Sequence, residues 1–364
     1  MTTFLLFVAG LAALVAGAEL LVRGAGKLAV SFGISPLVVG LTVVAFGTSS
    51  PELAVSVQSA FDGRVDLAVG NVVGSNIFNV LFILGLAALV APLVVARQVI
   101  RQEVPIMIGA SILFLAFARD GLIGRAEAGV LFGLLVAYTA FLVVQSRRET
   151  AAAEAKSEVD ASIGAGSRWD SHWAVQGLLI VAGLALLVTG SGWLVDAAIA
   201  FARSLGVSEL VIGLTIVAAG TSTPEVAASL LATWRGEREI AIGNVIGSST
   251  FNLLGVLGLS GLVAPQALTV APSLVAFDIP VMLAVALACL PVFFTGRTIA
   301  RWEGAVFLLY YAAYAGFLVL AAQQHDALPA FSRAMMFFVL PITALTLAVL
   351  AWRARGGGPA GAGG

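Results

Sequence analysis

GTSSPE, residues 47–52, interrupts an apolar run long enough to cross a membrane, and GTSTPE repeats it at residues 220–225. A proline and a glutamate in mid-span are each costly. Proline lacks the N–H that would close a helical hydrogen bond, and an acid at the bilayer centre costs at least a few kcal/mol. In a helix, Thr48 and Glu52 stand at i, i+4 and Ser49 and Glu52 at i, i+3, so all three share one face. Pro51 leaves the Gly47 carbonyl without its helical donor. A freed carbonyl at membrane depth is tolerated only where protein encloses it or a cavity receives it. One turn therefore offers a carboxylate, two hydroxyls and a backbone oxygen, all hard donors.

The surrounding chain makes the membrane reading firm. Its 364 residues are 60% hydrophobic and only 11% charged, with a mean hydropathy of +1.04. A soluble domain is nearer one-quarter charged, so this is an all-α integral membrane chain. A net charge of −1 gives no reason to expect nucleic acid. The one cysteine, Cys289, excludes an internal disulfide and reads as packing. MTTFLLFVAG has no basic leader region and reads as the start of a retained first span. Eleven apolar spans are expected: 3–22, 34–60, 66–92, a short one at 104–118, 126–145, 174–200, 207–233, 239–265, 279–294, 302–322 and 334–352. Residues 146–172 read as a polar linker, helical in part at TAAAEAKSE, and 353–364 as a flexible tail. Of the 19 Lys and Arg, 14 fall in inside loops if the N-terminus is outside. The expectation is a multi-pass protein of the cell (inner) membrane, N-terminus out, with linker and C-terminus cytoplasmic.

The chain repeats itself. GLTVVAFGTSSPELAVSVQSA (40–60) aligns with GLTIVAAGTSTPEVAASLLAT (213–233), and GNVVGSNIFNVL (70–81) with GNVIGSSTFNLL (243–254), at a constant offset of 173 residues. Five spans per half is an odd number, so the second half should enter the membrane from the opposite side. The expected fold is two inverted five-helix repeats, 1–145 and 173–322, giving ten transmembrane helices. An accessory helix at 331–352 would follow.

The repeat doubles the candidate site. Ser75 and Asn79 lie i, i+4 on the span after the first motif. The second half supplies Thr221, Ser222, Glu225, the Gly220 carbonyl, Ser248 and Asn252. Packed about an axis in the membrane plane, these groups would converge. An oxygen-only set without His or Cys suits Ca²⁺, Na⁺, Mg²⁺ or Mn²⁺. Two close buried acids repel each other, so the emptied site should not reorient until another cation enters. That is a basis for obligatory exchange. Singly, a Ser or Thr in such a helix usually bonds its own backbone and a proline usually kinks; duplication of the whole cluster favours ion binding. Glu19 and Arg23 read as a local i, i+4 ion pair. Asp196 and Asp278 read as interfacial, and His172 and His325 as loop residues without a role. Gly40, Gly70, Gly74 and their counterparts read as close helix packing.

Residues 47–52 and 70–79, duplicated at 220–225 and 243–252, resemble the alpha-repeats of the cation/calcium exchanger superfamily, most of all its prokaryotic sodium/calcium exchanger branch. The resemblance covers roughly residues 1–322. It implies a secondary antiporter that exchanges Ca²⁺ for Na⁺ by alternating access, with the two long first helices sliding on a core. Glu52 and Glu225 would be the central ligands, with Thr48, Ser49, Thr221 and Ser222 adding oxygens. Ser75 and Ser248 would serve flanking Na⁺ sites, and the carbonyls of Ala45 and Ala218 would complete them. Ca²⁺ and Na⁺ are cargo; no resident cofactor and no enzyme activity are expected, and lipid is the surrounding partner. Asn79 and Asn252 stand where some relatives carry Asp at the second position, which leaves two formal charges and argues against K⁺ dependence. The Thr-Ser pair in the first motif favours Na⁺ over H⁺. A proton/divalent exchanger is the alternative, and a cation channel the rival from another class.

Overall fold

The computed structural model describes residues 2–154, 172–204, 218–294, 296–325 and 327–336. Helix α1 (Thr2–Phe32) leads into α2 (Pro36–Thr48) and α3 (Ser50–Phe61), which meet at 46°. Then come α4 (Val65–Val90), strand β1 (Leu93–Val94), α5 (Val99–Asp120), β2 (Leu122–Ile123) and α6 (Arg125–Glu154). The second half holds α7 (Trp173–Ser204), α8 (Ala218–Thr221), α9 (Thr223–Trp234), α10 (Arg238–Val263) and β3 (Leu268–Thr269). It continues with α11 (Leu274–Phe294), β4 (Thr298–Ile299), α12 (Arg301–Ala322) and α13 (Leu328–Ala334). Among the described residues, eight helices are long and apolar enough to cross a membrane, nine if α2 and α3 form one span. The chain is a helical, multi-pass membrane protein. The expected spans at 207–233 and 334–352 lie partly outside the described residues, as do most of the linker and all of the tail. Helix α6 runs into the linker as far as Glu154.

The span expected to be short, 104–118, is longer. It starts at Val99 because a π-helical turn, Val99–Glu103, carries Arg101 and Glu103 into the helix, and those charges masked its start in the sequence. The related π turn Leu274–Asp278 likewise extends the span expected at 279–294. Asp278, expected at an interface, is buried at 8% exposure and accepts a hydrogen bond from the Tyr314 hydroxyl at 2.7 Å. Glu103 is fully buried and accepts from Tyr138 at 2.6 Å, Gln98 at 2.9 Å and Gln102 at 2.8 Å. Asp196 is exposed on α7. Glu19 pairs with Arg235 just beyond α9, a long-range contact that the expected local pair with Arg23 did not foresee.

Two small antiparallel ladders tie the halves together. Leu93 and Val94 pair with Ile299 and Thr298, and Leu122 and Ile123 with Thr269 and Leu268. Helices α4 and α10 are the most enclosed and α12 the least. Helix α1 packs along α7 at a seam of glycines. A Cβ on Gly17 would stand 2.8 Å from the Gly183 carbonyl oxygen, and one on Gly183 would stand 2.6 Å from the Leu21 nitrogen. Gly40 and Gly243 also abut, as the sequence reading expected; a Cβ on Gly243 would stand 2.7 Å from the Leu37 oxygen. The matching partners of Gly70 and Gly74, residues 210–214, lie outside the described residues.

Candidate functional site

The two duplicated motifs meet at the centre. Each proline sits in the first turn of its helix, where its missing N–H interrupts no bond within that helix but leaves the carbonyl four residues back without a helical donor. The chain turns at the residue just before, Ser49 (φ −81°, ψ 9°) and Ser222 (φ −87°, ψ 9°). This break lets each serine leave its own helix and reach the opposite half. Ser222 donates to Glu52 Oε1 at 2.7 Å, and Ser49 donates to Glu225 Oε1 at 2.9 Å. The Ser222 and Ser75 hydroxyls lie 3.2 Å apart. Thr48, Ser49, Glu52, Ser222, Ser248 and Asn252 are fully buried, and Glu225, Asn79 and Ser75 nearly so. Thr221 is partly buried.

Two asparagines that the sequence reading passed over hold the acids in place. The Asn71 side-chain nitrogen donates to the Glu52 backbone carbonyl at 3.3 Å and to Ser56 at 3.0 Å. Its repeat mate Asn244 donates to the Glu225 carbonyl at 3.4 Å and to Ser229 at 2.9 Å. Their amide oxygens accept across the repeat, Asn71 from Thr221 at 3.4 Å and Asn244 from Thr48 at 3.0 Å. The signal was present: both lie in the quoted GNVVGS and GNVIGS stretches, each a polar residue kept in an apolar span at the same offset. Replacing fully buried Asn244 by alanine strands the partners it satisfies. Asn244→Ala should lower stability by about 1–3 kcal/mol, read as a lower melting temperature of the purified protein.

The remaining expected ligands are placed unequally. The Ala45 carbonyl accepts from the Ser49 N–H at 3.0 Å and from the Ser248 hydroxyl at 3.5 Å. Ala218 opens α8, one turn before Ser222. The freed Gly220 carbonyl was expected to face the site; instead it accepts from Ser191 on α7 at 2.8 Å. A hydroxyl at membrane depth finds few partners, and this one takes the nearest open lone pair. Asn252 donates to the Asn76 amide oxygen at 3.3 Å, and Asn76 donates to the Ser249 carbonyl at 3.2 Å. That links α4 to α10 through the position where the repeats differ.

What the hydrogen bonds leave over defines the chemistry. Glu52 Oε2, Glu225 Oε2, Asn79 Oδ1 and Asn252 Oδ1 are buried and have no hydrogen-bond partner among the described residues. All four are acceptors only. Buried polar atoms are normally satisfied; other unpartnered atoms such as Thr250 Oγ1 and Ser260 Oγ exist, but these four recur at matching positions of the two repeats, as the ligands of a bound metal cation would. Carboxylate and amide oxygens suit hard cations such as Ca²⁺ and Na⁺. The π-helical turns Asn79–Leu84 and Asn252–Val256 begin at the two asparagines. Such turns commonly mark functional positions inside helices.

Two buried acid motifs that bond across to each other inside a multi-pass helical protein point to the class of ion-handling membrane proteins. Residues 2–144 and 175–320 match the family described as sodium/calcium exchanger protein, and the chain belongs to that family. The sodium/calcium exchanger MaX1 of Methanosarcina acetivorans is 36% identical over 340 residues, 85% of this chain and 97% of that protein. The Escherichia coli inner membrane protein YrbG is 38% identical over 260 residues, 71% and 79% of the two chains. A solved structure of the sodium-calcium exchanger NCX_Mj superposes with a TM-score of 0.72 at 29% identity, covering 86% of this chain and 98% of that one. These relatives are ion exchangers and membrane proteins; the chain is a cation/Ca²⁺ exchanger, not an enzyme.

Proposed function

We propose that this chain exchanges cytosolic Ca²⁺ for Na⁺ by alternating access, with Glu52 and Glu225 as the central ligands. One observation carries the reading: two carboxylate oxygens and two amide oxygens, orphaned and buried, on motifs that repeat each other. Thr48, Ser49, Thr221, Ser222, Ser75, Ser248 and the carbonyls of Ala45 and Ala218 would supply the remaining oxygens as the cargo changes. With both acids ionised, the cage balances one divalent ion. Without a cation, two like charges share a water-poor site, which opposes reorientation of the empty carrier.

The ladders support inverted halves. Under the internal repeat β1 corresponds to β3 and β2 to β4. In parallel halves, corresponding loops would share a membrane face, and β1 and β4 would be roughly 30 Å apart. Inversion allows the pairings found, β1 with β4 and β2 with β3. Ten spans with the N-terminus outside then put the linker in the cytosol. One-sided access is supported by an asymmetry. A Cβ on Gly47 would meet Leu184, and one on Gly220 would meet Val195, both on α7. An ideal two-fold axis would face Gly220 to α1. The α1–α7 pair therefore sits off-centre on the core, as a sliding unit caught at one end of its travel would.

Inside-out vesicles separate the readings. Ca²⁺ uptake driven by Na⁺ loaded inside the vesicles and running out, and not by a proton gradient alone, is expected. Uptake on a proton gradient alone would establish the proton exchanger, and flux without any counter-ion a channel. Protons compete for the same carboxylate oxygens, so uptake should fall as the medium is acidified; a rate flat from neutral to acid pH would argue against carboxylate ligands.

A further inference from the structure

Helices α1 and α7 are themselves a repeat. GLAALVAGAELLV (10–22) aligns with GLALLVTGSGWLV (183–195) at the same offset of 173 residues. Their seam keeps that symmetry. A Cβ on Gly10 would stand 2.9 Å from the Gly190 oxygen, and its counterpart on Gly183 would stand 2.7 Å from the Gly17 oxygen. The footing of the pair on the two motifs does not keep it. A Cβ on Gly47 would meet Leu184, and one on Gly220 would meet Val195, so α7 faces both motifs. The buried Ser191 hydroxyl of α7 also donates to the Gly220 carbonyl at 2.8 Å. The counterpart of Ser191 on α1 is Ala18, equally buried and without a donor. A symmetric pair in a one-sided seat has a mirror seat, reached by exchanging the halves. There α1 would face both motifs, with Val22 at Gly47 and Leu11 at Gly220, and Ala18 would stand where Ser191 stands now. The hydroxyl tie therefore belongs to one seat only.

We infer that Ser191 is a positioning residue for exchange: its bond to Gly220 holds the α1–α7 pair in the seat seen here and so sets the ratio of the two access states. The inference rests on the alternating-access reading above. Pro224 makes the tie possible, because the lone pair it leaves open on Gly220 can be used without breaking a helical hydrogen bond. At membrane depth no water competes for that lone pair, so a hydroxyl that leaves it gives up its partner. A hydrogen bond between membrane helices is nevertheless modest and shifts a two-state ratio by about three- to tenfold. That is enough to favour one seat and too little to trap the carrier there. A shift of this kind shows as apparent affinity, because each membrane face meets only the fraction of carriers open to it.

The test measures the Ca²⁺ KM of Na⁺-driven exchange from each face of the full chain, in right-side-out and inside-out vesicles. Ser191→Ala should change the ratio of the two KM values about three- to tenfold. A loss of folded copies would lower the rate from both faces and leave that ratio alone. Ser191→Thr, which keeps the hydroxyl, should keep the parent ratio. Ala18→Ser offers the missing hydroxyl to the mirror seat, so it should move the ratio in the same direction as Ser191→Ala, and the two substitutions together should move it further than either. A parent ratio in Ser191→Ala, KM values that change alike at both faces, or opposite shifts in Ser191→Ala and Ala18→Ser would each overturn the inference and leave the bond as packing alone. A parent without Na⁺-driven uptake would overturn the exchange reading, and this inference with it.

Discussion

Glu52→Gln, and separately Glu225→Gln, should leave a folded protein that no longer transports. The substitution keeps the shape and keeps an acceptor for Ser222 or Ser49, so the hydrogen bonds at 2.7 and 2.9 Å survive. What it removes is one of two charges. At an effective dielectric constant near 20, a unit charge at 4 Å from another is worth about 4 kcal/mol, and about twice that for a divalent cation. Part is returned because a buried carboxylate is itself costly to keep ionised. If only a third remained, about 2.7 kcal/mol, Ca²⁺ occupancy at fixed concentration would fall about a hundredfold. Vesicle uptake should therefore drop to about a hundredth of the parent rate or lower. The double variant Glu52→Gln/Glu225→Gln provides the control. It removes the repulsion between two buried acids, so its ion-free melting temperature should equal or exceed the parent's. Parent-like uptake in either single variant would rule out the acid as a ligand. A double variant that melts far below the parent would mean the acids are structural.

Both acids were legible in the sequence because the motif is duplicated without a gap, and a glutamate in an apolar span has few structural excuses. Their mutual approach was expected too, on the reading that an odd span count inverts the halves, and each acid accepts from the serine of the other motif. The clamps Asn71 and Asn244 were within the quoted stretches but hidden by context. Among glycines and valines, an asparagine one turn from a serine gives no direction, and only the fold shows it reaching a backbone carbonyl 19 residues away. The Gly220 carbonyl was misdirected for a related reason. Pro224 predicts that a carbonyl is freed but not which neighbour takes it, and Ser191 lies on another helix. Spans beginning at charged residues were read short, because Glu103 and Asp278 find tyrosine partners more than thirty residues further along the chain. The two-residue strands carry too little pattern to be read at all.

Gly17→Leu, and equally Gly183→Leu, should lower the melting temperature sharply and abolish uptake, while Gly26→Leu on the same helix should do neither. Helices in lipid associate through close packing of small residues rather than through the hydrophobic effect. At the α1–α7 seam that packing is backbone against backbone. A Cβ on Gly17 would stand 2.8 Å from both the Gly183 oxygen and the Leu187 nitrogen, and one on Gly183 would stand 2.7 Å from the Gly17 oxygen. Side-chain obstacles can rotate aside; these cannot, so the helices must part. Overpacking a core costs about 1–3 kcal/mol when side chains can adjust, and a rigid obstacle should put the cost at the upper end of that range or beyond it. A Cβ on Gly26 meets nothing within 4 Å among the described residues, which isolates the effect of the seam from that of losing a glycine. Function should suffer beyond stability because the proposed access change moves α1 and α7 together. A seam held open on one side would let α1 and α7 drift independently over the core. Conservative Gly17→Ala should therefore transport slowly at a melting temperature between parent and leucine variant. A Gly17→Leu protein that melts and transports like the parent would mean that the two helices do not meet along these glycines in the membrane, and the one-sided contact of α7 with both motifs would lose its meaning as a captured stage of the cycle.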